Sequence, residues 1–329
     1  MDSKKWFKEA QFGMMIHFGL YSLIGGEWNG KRIDQIGEWA QSYFRIPNKE
    51  YHKLAGVFNP IYFNAEEWVR TAKNAGMKYF VMTSKHHEGF ALFKSKVSKF
   101  NSVDATPFGR DIIGELAEAC YKLGMKFGLY YSQAIDWSHP DSMPNSPLPL
   151  NGDVMDWGNT WDFPDYEKKD YMRCYNEKIK PQVKEILTNY GDLCLIWFDT
   201  PSGMPQKCSR ELYDMVKEYQ PNCLINSRIG VKGCAFDYES SEDNEIPTDN
   251  KSGMLYETCA TLNDTWGYKS FDNNWKSAEE VVKTKEHLKS LGANYLLNIG
   301  PDWLGRFPAK SVEILEKVGE IENKTKIAM

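Results

Sequence analysis

Short, almost continuously apolar runs alternate with longer segments whose apolar residues recur at helical spacing, and the alternation continues along most of the chain. The runs predict strands at 13–17, 79–84, 127–132, 193–198, 223–226 and 294–299, with weaker ones at 235–238 and 254–257. Helical spacing predicts helices over 65–75, 112–123, 166–190 and 278–291, and a closing helix over 309–323. In 278–291, Val281, Val282, His287, Leu288 and Leu291 are interrupted by lysines and glutamates, the pattern of an amphipathic helix. The strands are apolar on both faces, as in a parallel sheet covered on both sides. Eight of them with intervening helices, no internal repeat and no low-complexity linker predict an α/β fold: one (β/α)8-type, TIM-like barrel domain over residues 1–329. The closing helix is expected to leave no room for a C-terminal β-sandwich. The aperiodic stretch 136–162, rich in Pro, Asn, Gly and Trp, is expected to be a long loop over the barrel mouth.

Composition narrows the partners. A net charge of −5 without basic runs argues against nucleic acid and anionic membrane surfaces. No apolar run approaches the roughly 18–20 residues that span a bilayer. The start, Met1-Asp2-Ser3-Lys4-Lys5-Trp6, has no apolar core of a signal peptide, so a cytoplasmic location is expected, or a periplasmic or secreted one if a signal has been removed. The seven cysteines are scattered, form no CxxC pair and read as reduced thiols. Eleven Trp and 18 Tyr suit stacking on the apolar faces of sugar rings.

In a barrel, polar residues just after strand ends are the catalytic candidates. These are His17; His86, His87 and Glu88; Tyr131 and Ser132; Asp199; Asn226 and Arg228; and Glu239, Glu242 and Glu257. A strand-end histidine is more often structural, but two adjacent ones in a chain with six are harder to dismiss. An aspartate there is commonly a helix cap, yet Thr200-Pro201-Ser202 could cap the next helix instead of Asp199. No GxSxG elbow, phosphate loop or GxGxxG follows a strand. A barrel metallohydrolase is the rival reading, disfavoured because adjacent His86 and His87 would point oppositely in extended chain. Glycoside hydrolysis needs two carboxyl groups, hydroxyl-binding groups and aromatic walls, and the candidates supply all three.

Several motifs in order carry a family resemblance. Phe12-Gly13-Met14-Met15-Ile16-His17-Phe18-Gly19, Gly37-Glu38-Trp39, Lys85-His86-His87-Glu88-Gly89-Phe90, Gly128-Leu129-Tyr130-Tyr131-Ser132 and Trp197-Phe198-Asp199 resemble the α-L-fucosidases of glycoside hydrolase family 29. Tyr256-Glu257-Thr258-Cys259, Thr265-Trp266-Gly267-Tyr268 and Leu296-Leu297-Asn298-Ile299-Gly300-Pro301-Asp302 continue it. The resemblance implies an exo-acting, retaining enzyme that removes terminal α-L-fucose from fucosylated oligosaccharides or glycoconjugates, with no metal and no cofactor. It implies Asp199 as nucleophile and Glu242 as acid/base, with Glu257 as the alternative. His17, Glu38, Trp39, His86 and His87 would grip the sugar hydroxyls, Tyr131, Trp197 and Arg228 would complete the pocket, and Trp266 would face the C5 methyl. The chain departs from the family at Thr200-Pro201, where Gly is commoner, and at Ser241 before the expected acid, and the usual C-terminal β-sandwich is expected to be missing. An inert fucose-binding barrel is the second hypothesis, separated from the first by turnover of an aryl fucoside. Linkage preference and assembly as a homo-oligomer stay open.

Overall fold

The computed structural model describes residues 2–142, 149–150, 155–250 and 252–328. Eight strands carry the fold: β1 (Phe12–Ile16), β2 (Tyr79–Lys85), β3 (Lys126–Ser132), β4 (Leu195–Asp199), β5 (Leu224–Ile225), β6 (Glu239–Ser240), β7 (Tyr256–Thr261) and β8 (Ala293–Ile299). They pair in parallel in the order β6-β7-β8-β1-β2-β3-β4-β5. A parallel bridge between Asn226 and Tyr238 joins the two ends and closes the sheet into a (β/α)8-type barrel. The run expected at 235–238 pairs one step later, because β5 and β6 are short and only Tyr238 reaches across. The run expected at 254–257 extends to Thr261 along β8.

Two apolar layers follow from strand alternation. Outward residues such as Met14, Phe80, Leu129, Ile196 and Leu297 pack against the helices. Inward residues, among them Met15, Tyr79, Val81, Tyr130, Leu195, Trp197, Tyr238 and Leu296, fill the barrel. Gly13 is required here: a Cβ would lie 2.5 Å from the Tyr79 ring, which crosses the interior. Helix α1 (Ser3–Ala10), capped by Asp2, seals the lower end with Phe7, whose ring lies 4.6 Å from that of Tyr238.

The outer helices start where capping chemistry sits. Asn64 caps α2 (Ala65–Asn74), and Asp111 caps α3 (Ile112–Leu123), which ends on Gly124 in the left-handed region. The helix expected over 166–190 is interrupted: Tyr171–Cys174 passes through a π turn, Tyr175–Ile179, into α4 (Lys180–Asn189). Within that turn Lys178 is buried and reaches Asp136, which Lys85 on β2 also meets (2.7 and 3.1 Å). Helix α5 (Gln206–Tyr219) was not expected, although Cys208, Leu212, Met215 and Val216 show its buried stripe. It begins at Gln206 after Pro205 with no side-chain cap, so Thr200-Pro201-Ser202 does not cap it. A capping box of Ser277 and Glu280 starts α6 (Ala278–Ser290), and α7 (Ala309–Ala328) closes the ring. His287 lies exposed on α6 rather than on its buried face, bonded to the Pro247 carbonyl at 2.8 Å. Within the loop expected over 136–162, residues 143–148 and 151–154 lie outside the described residues. No helix among the described residues is long and apolar enough to cross a membrane.

Candidate active site

A cavity of about 540 Å³ opens at the C-terminal ends of the strands. A larger groove of about 720 Å³ lies between α2 and α3 on the outside. Several of its charged side chains pair with one another, as in Glu66 with Arg70 and Arg110 with Glu115. The chemistry lies at the barrel mouth.

His17 follows β1, and its Nδ1 lies 2.7 Å from Oδ1 of Asn298 on β8. The Asn298 amide nitrogen donates to the Trp266 carbonyl at 2.7 Å, which turns Oδ1 toward the ring and makes His17 Nδ1 the donor. Nε2 is then left as an acceptor for a hydroxyl. Burial lowers the His17 pKa to about 4, so the ring is neutral at ordinary pH. His87 is held similarly: Ser132 donates to the Ile135 carbonyl (2.9 Å) and so accepts from His87 Nδ1 (2.8 Å). His86 and His87 do not point oppositely. Both lie beyond the end of β2, after a register shift at Thr83/Lys85, and their rings face one cavity with centroids 3.9 Å apart. Burial drives both well below the ordinary imidazole range.

Glu38 enters on the short helical turn Gly37–Trp39 and accepts the backbone N–H of Gly267 at 2.8 Å. Only glycine fits at 267, since a Cβ would come within 2.9 Å of Glu38 and Tyr21. Burial raises the Glu38 carboxyl to about 7 despite that bond. Trp39 packs edge-on to His87 (5.1 Å) and Trp157 (5.8 Å), and Trp266 lies 5.3 Å from His17. These side chains wall the cavity.

Asp199 ends β4 at its floor. Its Oδ2 accepts the Tyr130 hydroxyl at 2.8 Å, its Oδ1 meets Arg228 Nη1 at 3.2 Å, and His87 Nε2 lies 4.0 Å away. The backbone N–H is held by Gln133 (2.8 Å). Asn226 bonds both the N–H and the carbonyl of Phe198, which ties β5 to the strand carrying Asp199. Thr200 sits at φ 55°, a strained conformation for a β-branched residue, and its hydroxyl bonds the Asp199 carbonyl.

Tyr131 is a correction. It points out of the barrel, where its hydroxyl bonds Gln182 at 2.9 Å, and its neighbour Tyr130 faces the cavity. Consecutive strand residues face opposite sides, so a family motif that contains both leaves the choice open by one position. The two acid/base candidates also separate. Glu242 lies at the mouth, and Glu257 is fully buried in the barrel interior, bonded to Tyr79 and Trp197, and does not line the cavity. Glu239 bonds Ser252 on the surface, Asn226 is structural, and Glu88 is buried against Tyr51 and the Leu20 N–H. The structure adds Asp243, which the sequence reading passed over. Arg228 Nη2 bonds it at 2.7 Å and the Ser241 carbonyl at 2.6 Å. Among the described residues no group of three or more His, Cys, Asp or Glu side chains is placed to hold a metal.

Comparison with known proteins points to one family. The α-L-fucosidase family model matches residues 1–325. The tissue α-L-fucosidase of Rattus norvegicus is 31% identical, over 92% of this chain and 65% of that one. The chain spans about two thirds of the length of such curated relatives. The structure of α-L-fucosidase AlfC from Lactobacillus casei in complex with its α-L-fucose product matches with a TM-score of 0.94 and 49% identity, covering 99% of each chain. A variant of AlfC in complex with Fuca(1,6)GlcNAc matches with a TM-score of 0.93 and 49% identity, again over 99% of both chains. With the family model matched over nearly its whole length, this chain belongs to the α-L-fucosidase family of glycoside hydrolases.

Proposed function

We propose that the chain hydrolyses terminal α-L-fucosides by double displacement, with Asp199 as nucleophile. One observation carries the reading: Asp199 lies at the cavity floor with an oxygen on each of two donors, Tyr130 and Arg228, beneath three imidazoles. Neutral His17 and His87 present Nε2 acceptors to hydroxyls, and aromatic walls including Trp39 and Trp266 suit the C–H faces and C5 methyl of fucose. In the first step Asp199 attacks C1, the bond from C1 to the aglycone oxygen breaks, and a carboxylic acid protonates that oxygen. In the second, water attacks C1, the same carboxylate takes its proton, and Asp199 leaves, so the anomeric configuration is retained.

The acid/base lies on the segment after β6. Sequence order favours Glu242; geometry favours Asp243, because one guanidinium, that of Arg228, contacts both Asp199 and Asp243 and keeps them close together. An α1,6 linkage to GlcNAc is the first substrate to assay, given the disaccharide seated in AlfC.

Asp199→Asn is expected to lower turnover of an aryl α-L-fucoside by about three orders of magnitude or more, with the fold intact. Activity within tenfold of wild type would sink the nucleophile assignment. Azide added to Asp243→Ala, Glu242→Ala and Glu257→Ala separates the acid/base candidates. The true acid/base variant regains turnover and releases α-L-fucosyl azide, because azide needs no base. Rescue confined to Glu242→Ala or Glu257→Ala would remove Asp243 from the role.

A further inference from the structure

Glu257 enters no step above, yet it is a fully buried carboxyl in the centre of the barrel. Such a group persists only where donors meet it. Its Oε2 accepts the Tyr79 hydroxyl at 2.6 Å and its Oε1 the Trp197 indole N–H at 3.0 Å. The second bond leads directly to the nucleophile. The Trp197 indole stacks on Tyr130, with centroids 5.7 Å apart and planes 16° from parallel. It also carries the Arg228 guanidinium 4.8 Å from its ring centre. Tyr130 and Arg228 are the two side-chain donors on Asp199. One indole therefore underlies both groups that orient the nucleophile.

The indole nitrogen is a donor only, so its ring is held in one orientation as long as the acceptor beneath it stays in place. Any tilt would strand the N–H in an apolar interior and leave Glu257 with Tyr79 as its one remaining donor of the two. We propose that Glu257 is a positioning residue that sets Asp199 through Trp197, and that it acts as a hydrogen-bond acceptor, not as a proton donor to substrate. The proposal rests on Asp199 being the nucleophile. A loosened indole lets Tyr130 and Arg228 drift and spoils the angle of attack on C1, which lowers kcat more than it raises KM.

The test is kinetics on an aryl α-L-fucoside for Glu257→Gln, Glu257→Leu, Trp197→Phe and the Glu257→Leu/Trp197→Phe double variant, with thermal melts and Asp199→Asn as control. Gln keeps an oxygen for the indole and is expected within about threefold of the wild-type kcat. Leu lowers kcat by about tenfold or more with KM within about threefold, and Trp197→Phe lowers kcat similarly. The double variant falls no further than the worse single one, because both cut the same link. Azide restores neither. A Gln variant as impaired as Leu, single losses that multiply, or azide rescue of Glu257→Leu would each overturn the proposal. If Leu fails to fold, Trp197→Phe carries the test, and a wild-type kcat there overturns it as well. Turnover by Asp199→Asn is a different failure, that of the nucleophile assignment itself.

Discussion

One step along β3 separates Tyr130, bonded to Asp199, from Tyr131, bonded to Gln182 behind the sheet. The two hydroxyls have the same chemistry and opposite surroundings. Tyr130→Phe removes one of two side-chain donors from Asp199, the proposed nucleophile, and is expected to lower kcat roughly tenfold to a hundredfold. Tyr131→Phe leaves Gln182 short of a donor in a buried place, which costs about 1 kcal/mol of stability with kcat nearly unchanged. Steady-state kinetics and urea unfolding of both variants check the pair. A reversed pattern would mean that β3 is one residue out of register. The same residue-level logic sets the histidine tautomers. Asn298 and Ser132 each have their own donation directed elsewhere, so His17 and His87 keep Nε2 as an acceptor.

Between elements, a buried ionic cluster braces the site. Asp136, on the segment after β3, is fully buried and meets Lys85 on β2 and Lys178 in the π turn. The next residue, Trp137, donates its backbone N–H to the His87 carbonyl at 2.7 Å, so the cluster and a cavity-lining histidine share one scaffold. The extra residue of the π turn places Lys178 inward, where an unbroken α-helix would carry it past. Burial alone would push the Asp136 carboxyl up, but the two ammonium groups outweigh it and hold it below its ordinary range. The stability it contributes is therefore complete above the unfolded value near 3.8 and is lost as pH falls below that. Asp136→Asn strands two buried ammonium groups and is expected to cost about 3–5 kcal/mol at pH 7, measured by chemical denaturation. A loss under 1 kcal/mol would show that water reaches the cluster.

For the whole molecule, buried groups of both signs shape stability against pH. His17, His86 and His87 have folded pKa values below the unfolded 6.5, so their contribution is complete above 6.5 and falls as pH drops below it. Glu38 and Glu257 are raised by burial to about 7 and Glu88 to about 8, so their contribution is complete below 4.5 and falls as pH rises to those values. Between 4.5 and 6.5 the two sets oppose each other. Of these groups, the three glutamates alone titrate above 6.5, and the histidines and Asp136 alone below 4.5. The melting temperature is expected to peak between pH 4.5 and 6.5 and to decline toward pH 8. Glu88→Gln, which keeps an acceptor for the Leu20 N–H, should flatten the alkaline side in calorimetric scans from pH 4 to 8. An unchanged alkaline slope would show that Glu88 does not titrate there.

The order and type of elements were legible in the sequence because strands covered on both faces must be apolar throughout, whatever they pair with. Strands β1 to β4 and β8, and helices α2, α3 and α6, lie within two residues of their expected places. Asp199 was legible as a strand-end carboxylate, and the cavity collects it with His17, Glu38, Trp39, His86, His87, Trp197, Arg228, Glu242 and Trp266. What pattern could not decide was direction. Which of two adjacent tyrosines faces inward depends on the register in which β3 meets β2 and β4. Whether two adjacent histidines converge depends on the chain leaving β2 through a bulge. Glu257 looks catalytic by its motif, and only the closed barrel places it beneath Trp197. Asp243 looks like surface charge until Arg228, 15 residues earlier, folds back to hold it beside Asp199. Local pattern encodes burial, which is a property of each residue. Convergence on one point is set by strand pairing across the closed barrel, and no short window of sequence contains that.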